Sequence, residues 1–264
     1  MHLYADLFYT KKFENAFHAP DADIKRILDK MVFKERQAVA PVRIVRKTES
    51  FYDILRILIN QWFRQAGPLT SRWLAEAAGC TYPTVAATLK RLEKYLTRYS
   101  DRRVELKAFP KDEWFRLVAN ADKVRQTLRF TDHSGQPRSI ESLMSRLQKL
   151  QPEGVAVAGV LGARHFYPEI DLIGTPRWDL TLHCLTREPG VEFLRQLDPA
   201  LKPAEPQEPV RLAMHLLRYL HTFFKSNGIL WADPVECRLD LHEMRLEPQA
   251  LELLHALTPK EKIS

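Results

Sequence analysis

Apolar residues recur three and four positions apart at Phe51, Ile54, Leu55, Leu58, Ile59 and Trp62, and this spacing predicts a helix over 51–65 with one buried face. Gly67-Pro68 ends it. A shorter pattern places Leu74, Ala75 and Ala78 on the inner side of a second helix with Ser71 as its cap, and Gly79 supplies a left-handed corner. Thr81 then stands at the cap of a third helix, with Pro83 in its first turn, where a missing N–H costs little. Val85, Leu89, Leu92 and Leu96 form the stripe of that helix. The period then drops to two: Val104, Leu106 and Ala108 alternate with Arg103, Glu105 and Lys107, as in a half-buried strand. Ser100-Asp-Arg-Arg103 is the expected tip of a hairpin.

Further along, 112–119 reads as a helix, 121–130 as a cationic helix (Lys123, Arg125, Arg129), 131–138 as a loop, and 140–150 as a helix burying Leu143, Met144, Leu147 and Leu150. Val155–Val160 is a short apolar run suited to a buried strand, and Leu161–Phe166 turns into a helix. In 178–184, Trp178, Leu180, Leu182 and Cys184 alternate with Asp179, Thr181 and His183. A short helix at 191–197 and a stiff loop carrying Pro199, Pro203, Pro206 and Pro209 follow. Val210–Lys225 reads as a helix (Val210, Met214, Leu217, Leu220, Phe224) stopped by Asn227-Gly228, Val235–Leu241 as an alternating strand, and 248–257 as a closing helix. Ahead of all this, 21–33 suits an amphipathic helix and 36–47 a basic strand. The expected organisation is α+β: an N-terminal extension (1–50), a three-helix and hairpin domain (51–110), a helical connector (111–152) and a C-terminal α/β domain (153–264).

Charge changes the picture. The 264 residues carry a net charge of +7, with a pI of about 9.3, which favours an anionic partner. From Lys90 to Lys107 there are seven cations against three anions. The start lacks the basic-then-apolar layout of a signal, and the apolar run from Gly154 to Ala163 is too short to cross a bilayer, so no membrane partner is expected. Three scattered cysteines (Cys80, Cys184, Cys237) point to a reducing cytoplasm and to neither a disulfide framework nor a structural zinc.

The segment Leu69–Lys107 resembles the winged helix-turn-helix of bacterial transcription regulators. That resemblance implies a second helix entering the major groove of double-stranded DNA and a wing on backbone or minor groove. On this chain the groove-facing residues become Thr84, Ala87, Lys90 and Arg91, with Tyr82 at the edge. Lys94, Arg98, Arg102, Arg103 and Lys107 become the phosphate or minor-groove contacts. A solvated basic surface, or a winged helix used only for protein contacts, is the competing reading.

The C-terminal half invites a test for nucleotidyl transfer, because a Gly turn (Gly159–Gly162) follows a strand and acids stand at Asp179 and Asp240. Such enzymes hold two Mg²⁺ between paired acids. Here Gly162-Ala163 replaces the Gly-Ser turn, and Asp179-Leu-Thr181 lacks the second acid of the pair, so a degenerate, catalytically dead domain without metal or cofactor is expected. His215 and His221 lack His-x-x-x-His spacing, and Arg164-His165 suits a surface or capping role. No Walker loop, dinucleotide fingerprint or serine elbow is present. Together with the helix-turn-helix, the stretches Val157–Ala163 and Trp231–Leu241 resemble the AbiEi-type antitoxins of type IV toxin–antitoxin systems. That likeness implies a cytoplasmic, autorepressing regulator, acting as a homodimer and encoded beside a nucleotidyltransferase toxin. A divergent nucleotidyltransferase, or a module binding RNA or protein, are the alternatives.

Overall fold

A computed structural model describes residues 47–172, 177–183, 188–217 and 223–259. The expectation for 21–33, and that for 36–47 up to its last residue Lys47 (which is helical, not a strand), lie outside these residues, as do Cys184 and His221. Residues 47–259 belong to one compact unit, a mixed α+β structure.

Its first part is helical. Helix α1 (Lys47–Phe63) buries Phe51, Ile54, Leu55, Leu58, Ile59 and Trp62, as their spacing requires. Helix α2 (Ser71–Ala77) turns at Gly79 into α3 (Tyr82–Arg91), and a 3-10 turn (Glu93–Tyr95) leads into β1 (Leu96–Arg98) and β2 (Val104–Leu106). The two strands form an antiparallel hairpin, and a bridge from Leu69 to Val104 ties β2 to the segment ahead of α2. Thr70, not Ser71, caps α2: its hydroxyl accepts from the Trp73 N–H at 3.1 Å.

Helix α4 (Lys111–Val124) follows, and then the periodic reading fails. Residues expected to continue as a cationic helix leave the helix at Arg125 and form β3 (Gln126–Asp132). Helix α5 (Ile140–Leu150), β4 (Val155–Ala158), α6 (Gly159–Phe166), β5 (Trp178–His183), α7 (Glu188–Leu197), β6 (Leu201–Pro203) and β7 (Leu212–Leu217) come next. The hairpin β8 (Phe223–Ser226) and β9 (Ile229–Ala232), then α8 (Pro234–Glu243) and α9 (Glu247–Leu257), close the described chain. The strands from β3 onward make a mixed sheet in the order β6-β3-β7-β5-β4-β9-β8.

Two further expectations are corrected. Val210–Lys225 is not a helix: Leu212–Leu217 is an inner strand paired to β3 on one side and β5 on the other, and all six residues are buried. A strand covered on both faces reads as a continuous apolar run, which periodicity alone cannot tell from a helix. Asn227-Gly228, taken as its stop, is the two-residue turn of the β8–β9 hairpin, with φ of 51° and 75°. Conversely, Val235–Leu241 is not a strand but the middle of α8. Asp233 caps it, its carboxylate accepting from the N–H groups of Val235 and Glu236 at 2.9 and 3.0 Å, and Pro234 opens its first turn.

Helix α8 is buried from Pro234 to Leu241 because it lies between the two parts. Val235 and Leu239 join the core of α1–α4, while Cys237 and Leu241 join the small-residue core of Ala156, Ala158 and Ala163 on one sheet face. The opposite sheet face packs Trp178, Leu180, Met214 and Leu216 against Leu147 of α5 and Leu194 of α7. Burying α8 requires its charged side chains to be partnered. Glu236 faces Arg56 of α1 at 3.5 Å, and Arg238 stacks over Phe109 and Trp114 while its Nε–H donates to the Ala250 carbonyl at 2.9 Å. Among the described residues no helix is long and apolar enough to cross a membrane.

Candidate nucleic-acid interface and a buried acid–histidine cluster

The corner between α2 and α3 has Gly79 at φ +59° with open space where a Cβ would stand. Thr81 is extended as an N-cap residue should be, yet its hydroxyl pairs with that of Thr84 at 2.9 Å rather than with a backbone N–H. Val85, Thr88, Leu89 and Leu92 turn inward, so Tyr82, Ala86, Ala87 and Lys90 are the exposed row of α3 and Thr84 is half-buried beside it. Tyr82 is 61% exposed, a large value for an aromatic side chain with no role in the core.

The cations separate into two groups. Arg91 donates to Glu113 Oε2 at 2.6 Å and lies 3.8 Å above the Phe51 ring, so it braces α3 against α4 and α1. Lys94 donates to Asp112 at 2.9 Å, as does the Tyr95 hydroxyl, and these two bonds hold the Asp112 carboxyl below its ordinary range. Arg103 closes the hairpin tip on Asp101 at 2.6 Å, helped by its own backbone N–H, and Arg98 sits 4.0 Å from Glu93. Lys90, Arg102 and Lys107 are exposed and make no ion pair among the described residues. Arg102 occupies the left-handed region at φ 65°, in the turn where Tyr99 and Arg103 meet. Sequence reasoning placed all ten residues on one basic segment; the structure leaves Tyr82, Ala87, Lys90, Arg102 and Lys107 presented to solvent without an ionic partner among the described residues.

The second constellation lies where β5, β7 and β3 meet α8. Register sets Thr181 and Thr127 on either side of His215, and Ala158 beside Asp179. Asp179 Oδ1 accepts from Arg177 Nε and Nη2 at 2.9 and 2.6 Å and lies 3.1 Å from His215 Nε2. The same nitrogen is 3.3 Å from Asp240 Oδ1, which also takes a hydrogen bond from Arg125. Asp240 Oδ2 accepts the Gly159 N–H at 2.9 Å. His215 Nδ1 faces Thr127 Oγ1 at 3.0 Å and Glu243 Oε2 at 3.6 Å, and Glu243 is held in turn by Arg129 and Arg177. Gly159 has to be glycine: its φ is +58°, and a Cβ there would stand 2.6 Å from Asp179 Oδ2.

Asp179, His215 and Asp240 each offer a donor atom, all within 4.8 Å of one another, the arrangement a metal ion uses. Charge weighs against one. Arg125 and Arg177 already neutralise the two aspartates, so a dication would have to displace both guanidiniums from a place 0–1% exposed. Burial pushes the Asp240 carboxyl up despite Arg125 and His215, whereas for Glu243 burial is outweighed by the charges of His215, Arg125, Arg177 and Arg129, and its carboxyl stays low. Asp179, His215 and Asp240 are closed to solvent, whereas Glu243 and Arg129 reach it in part. The sequence pointed to Asp179 and Asp240, though it put Asp240 on a strand; it weighed His215 only as half of a zinc pair and put it on a helix, although a lone polar residue inside the apolar run Leu212–Leu217 was the signal for its place here.

No family model matches the chain, and the search of characterised proteins finds no match. Among solved structures, the chain is similar to the Megavirus polyadenylate synthase at 10% identity, over 91% of this chain and 73% of that one, with a TM-score of 0.27. That likeness is too distant to bear on fold or activity.

Proposed function

We propose that residues 47–107 are a winged helix-turn-helix that binds double-stranded DNA, and that the chain is a cytoplasmic transcription regulator. The observation that carries this reading is the exposed row of α3, with Tyr82, Ala87 and Lys90 opposite the buried Val85 and Leu89, beside a hairpin presenting Arg102 and Lys107. Small residues at 86 and 87 permit close approach to base edges, and the cations suit phosphates. Pairing of two copies on an inverted repeat completes the scheme, as winged-helix repressors commonly do. In its fuller form the chain is an autorepressing antitoxin whose partner is a co-encoded toxin.

On this reading the C-terminal sheet is a degenerate nucleotidyltransferase-like domain. Strand β4, the Gly159 turn, α6 and β5 with Asp179 follow the order such a site needs, but arginines stand where its cations would be. The regulator reading is tested by anisotropy titration of duplex DNA, duplex RNA and single strands, since the groove that admits a helix is open in B-DNA and closed in A-form RNA. Preference for duplex DNA supports it; equal binding of all three contradicts it. Incorporation of labelled nucleotide with Mg²⁺, lost in Asp179→Asn, would instead favour the enzyme.

A further inference from the structure

The side chains of α3 divide by what each can still offer to a base edge. Val85, Thr88 and Leu89 are buried. The Thr84 hydroxyl is bound to that of Thr81 at 2.9 Å, and the Arg91 guanidinium to Glu113 at 2.6 Å. These bonds occupy polar groups that the helical pattern aims at the groove. Among the exposed positions, Pro83, Ala86 and Ala87 have neither a side-chain donor nor an acceptor. Helix α3 holds no Asn or Gln, the residues that pair bidentately with adenine, and no Asp or Glu to accept from the cytosine N4 amine. Lys90 is the one cation of α3 without an ion pair among the described residues, and it suits guanine O6 and N7. It stands four positions after Ala86 and three after Ala87, so the two alanine methyls and the ammonium share one face. At the base pairs that Ala86 and Ala87 reach, one means of direct reading is left. It is contact with the C5-methyl group that a pyrimidine can show in the major groove.

We infer that Ala86 and Ala87 read the 5-methyl group of a pyrimidine in duplex DNA, with Lys90 on a neighbouring guanine. This rests on the regulator reading of α3 and names the chemistry by which that helix selects its site. The A·T pairs of the site are recognised through the thymine methyl rather than through adenine. Neither alanine distinguishes the thymine O4 from the cytosine N4 amine, so 5-methylcytosine is a second source of the same contact.

The full chain first selects its site from a random duplex library. That site is then synthesised with each thymine in turn replaced by uracil, which keeps the pairing and deletes only the methyl group. A second set replaces each cytosine in turn by 5-methylcytosine. In anisotropy titrations, uracil should weaken binding about fourfold at one or more positions of each half-site, the effect of one buried methyl group. Ala86→Gly and Ala87→Gly remove the facing methyls and should abolish most of that difference. Ala86→Ser and Ala87→Ser, which disturb the helix less, should reduce it in the same direction, with circular dichroism checking the fold of each variant. Given the uracil loss, a gain from 5-methylcytosine assigns the contact to both bases, and no gain assigns it to thymine. A selected site without thymine, equal affinity for the thymine and uracil forms at every position, or a uracil loss unchanged in all the folded variants overturns the inference. In each of those cases the selected motif still upholds the regulator reading. Recovery of no motif contradicts that reading, and the inference falls with it.

Discussion

The guanidinium of Arg91 donates to Glu113 Oε2 at 2.6 Å while lying 3.8 Å over the ring of Phe51. A residue that the helical pattern assigns to the groove-facing row is therefore a strut between α3, α4 and α1. Arg91→Ala leaves the buried Glu113 with Arg116 alone, and should lower the unfolding free energy by roughly 1–3 kcal/mol. Its effect on DNA sequence preference should be small. Urea melts beside binding titrations check this; a stable variant with altered base preference would return Arg91 to the groove.

On the proposed reading, the cations without an ion pair among the described residues should carry the salt dependence of DNA binding. Removing Lys90, Arg102 or Lys107 should lower the slope of log K against log salt by about 0.9 for each phosphate that is no longer neutralised. Arg103→Ala, which breaks a pair with Asp101 at the hairpin tip, should change the slope less. A series of anisotropy titrations across salt concentration compares them. Equal slopes for all variants and wild type would remove the wing from the interface.

Two glycines with nearly the same φ should respond differently. Gly79→Ala meets open space, so only the left-handed conformation opposes it, at about 1–2 kcal/mol. Gly159→Ala adds a collision with Asp179 and should lose roughly 2–5 kcal/mol. Calorimetric melting of the pair checks the order, and a Gly159 variant as stable as the Gly79 variant would contradict the packing described for the cluster.

Within the cluster, Asp240→Ala leaves Arg125 buried beside one fewer carboxylate and should cost roughly 3–5 kcal/mol. Divalent metal should not raise the melting temperature of the wild type, because guanidiniums hold the cation positions; a rise lost in Asp179→Asn would show a metal site after all.

Glu243 has a carboxyl held below its ordinary 4.5, so its ionised form stabilises the fold above that value and the gain is lost as pH falls through the lower, folded one. Asp240 shifts the other way, so whole-protein curves mix the two. The difference between wild type and Glu243→Gln should be largest near neutrality and shrink below about pH 4.5. Urea midpoints across that range measure it, and a gap that is constant or widens on acidification contradicts the sign.

How much was legible follows from how each segment is buried. The stripes of α1 and α3 face a core on one side only, so Ile54, Leu58, Val85 and Leu89 show helical spacing, and the left-handed Gly79 marks the corner. Where an element is covered all round, the period vanishes: β7 passed for a helix through Met214 and Leu217, and α8 passed for a strand because Val235, Cys237, Leu239 and Leu241 alternate with charged residues that are also buried. The surer sign for α8 was local, Asp233-Pro234 at its start. For the candidate interface, residue types were readable but their partners were not. That Arg91 reaches Glu113 depends on α4 packing across α3, which no short-range pattern encodes. His215 needed the sheet order before Asp179 and Asp240 could be seen on either side of it.

Selection of bound fragments from a random duplex library, at near-physiological salt, tests the central claim most directly. The wild-type chain should enrich a defined motif arranged as an inverted repeat, and Lys90→Ala should relax the preference at particular positions while the fold persists. Recovery of fragments with no shared sequence, unchanged by Lys90→Ala, would contradict DNA reading by α3.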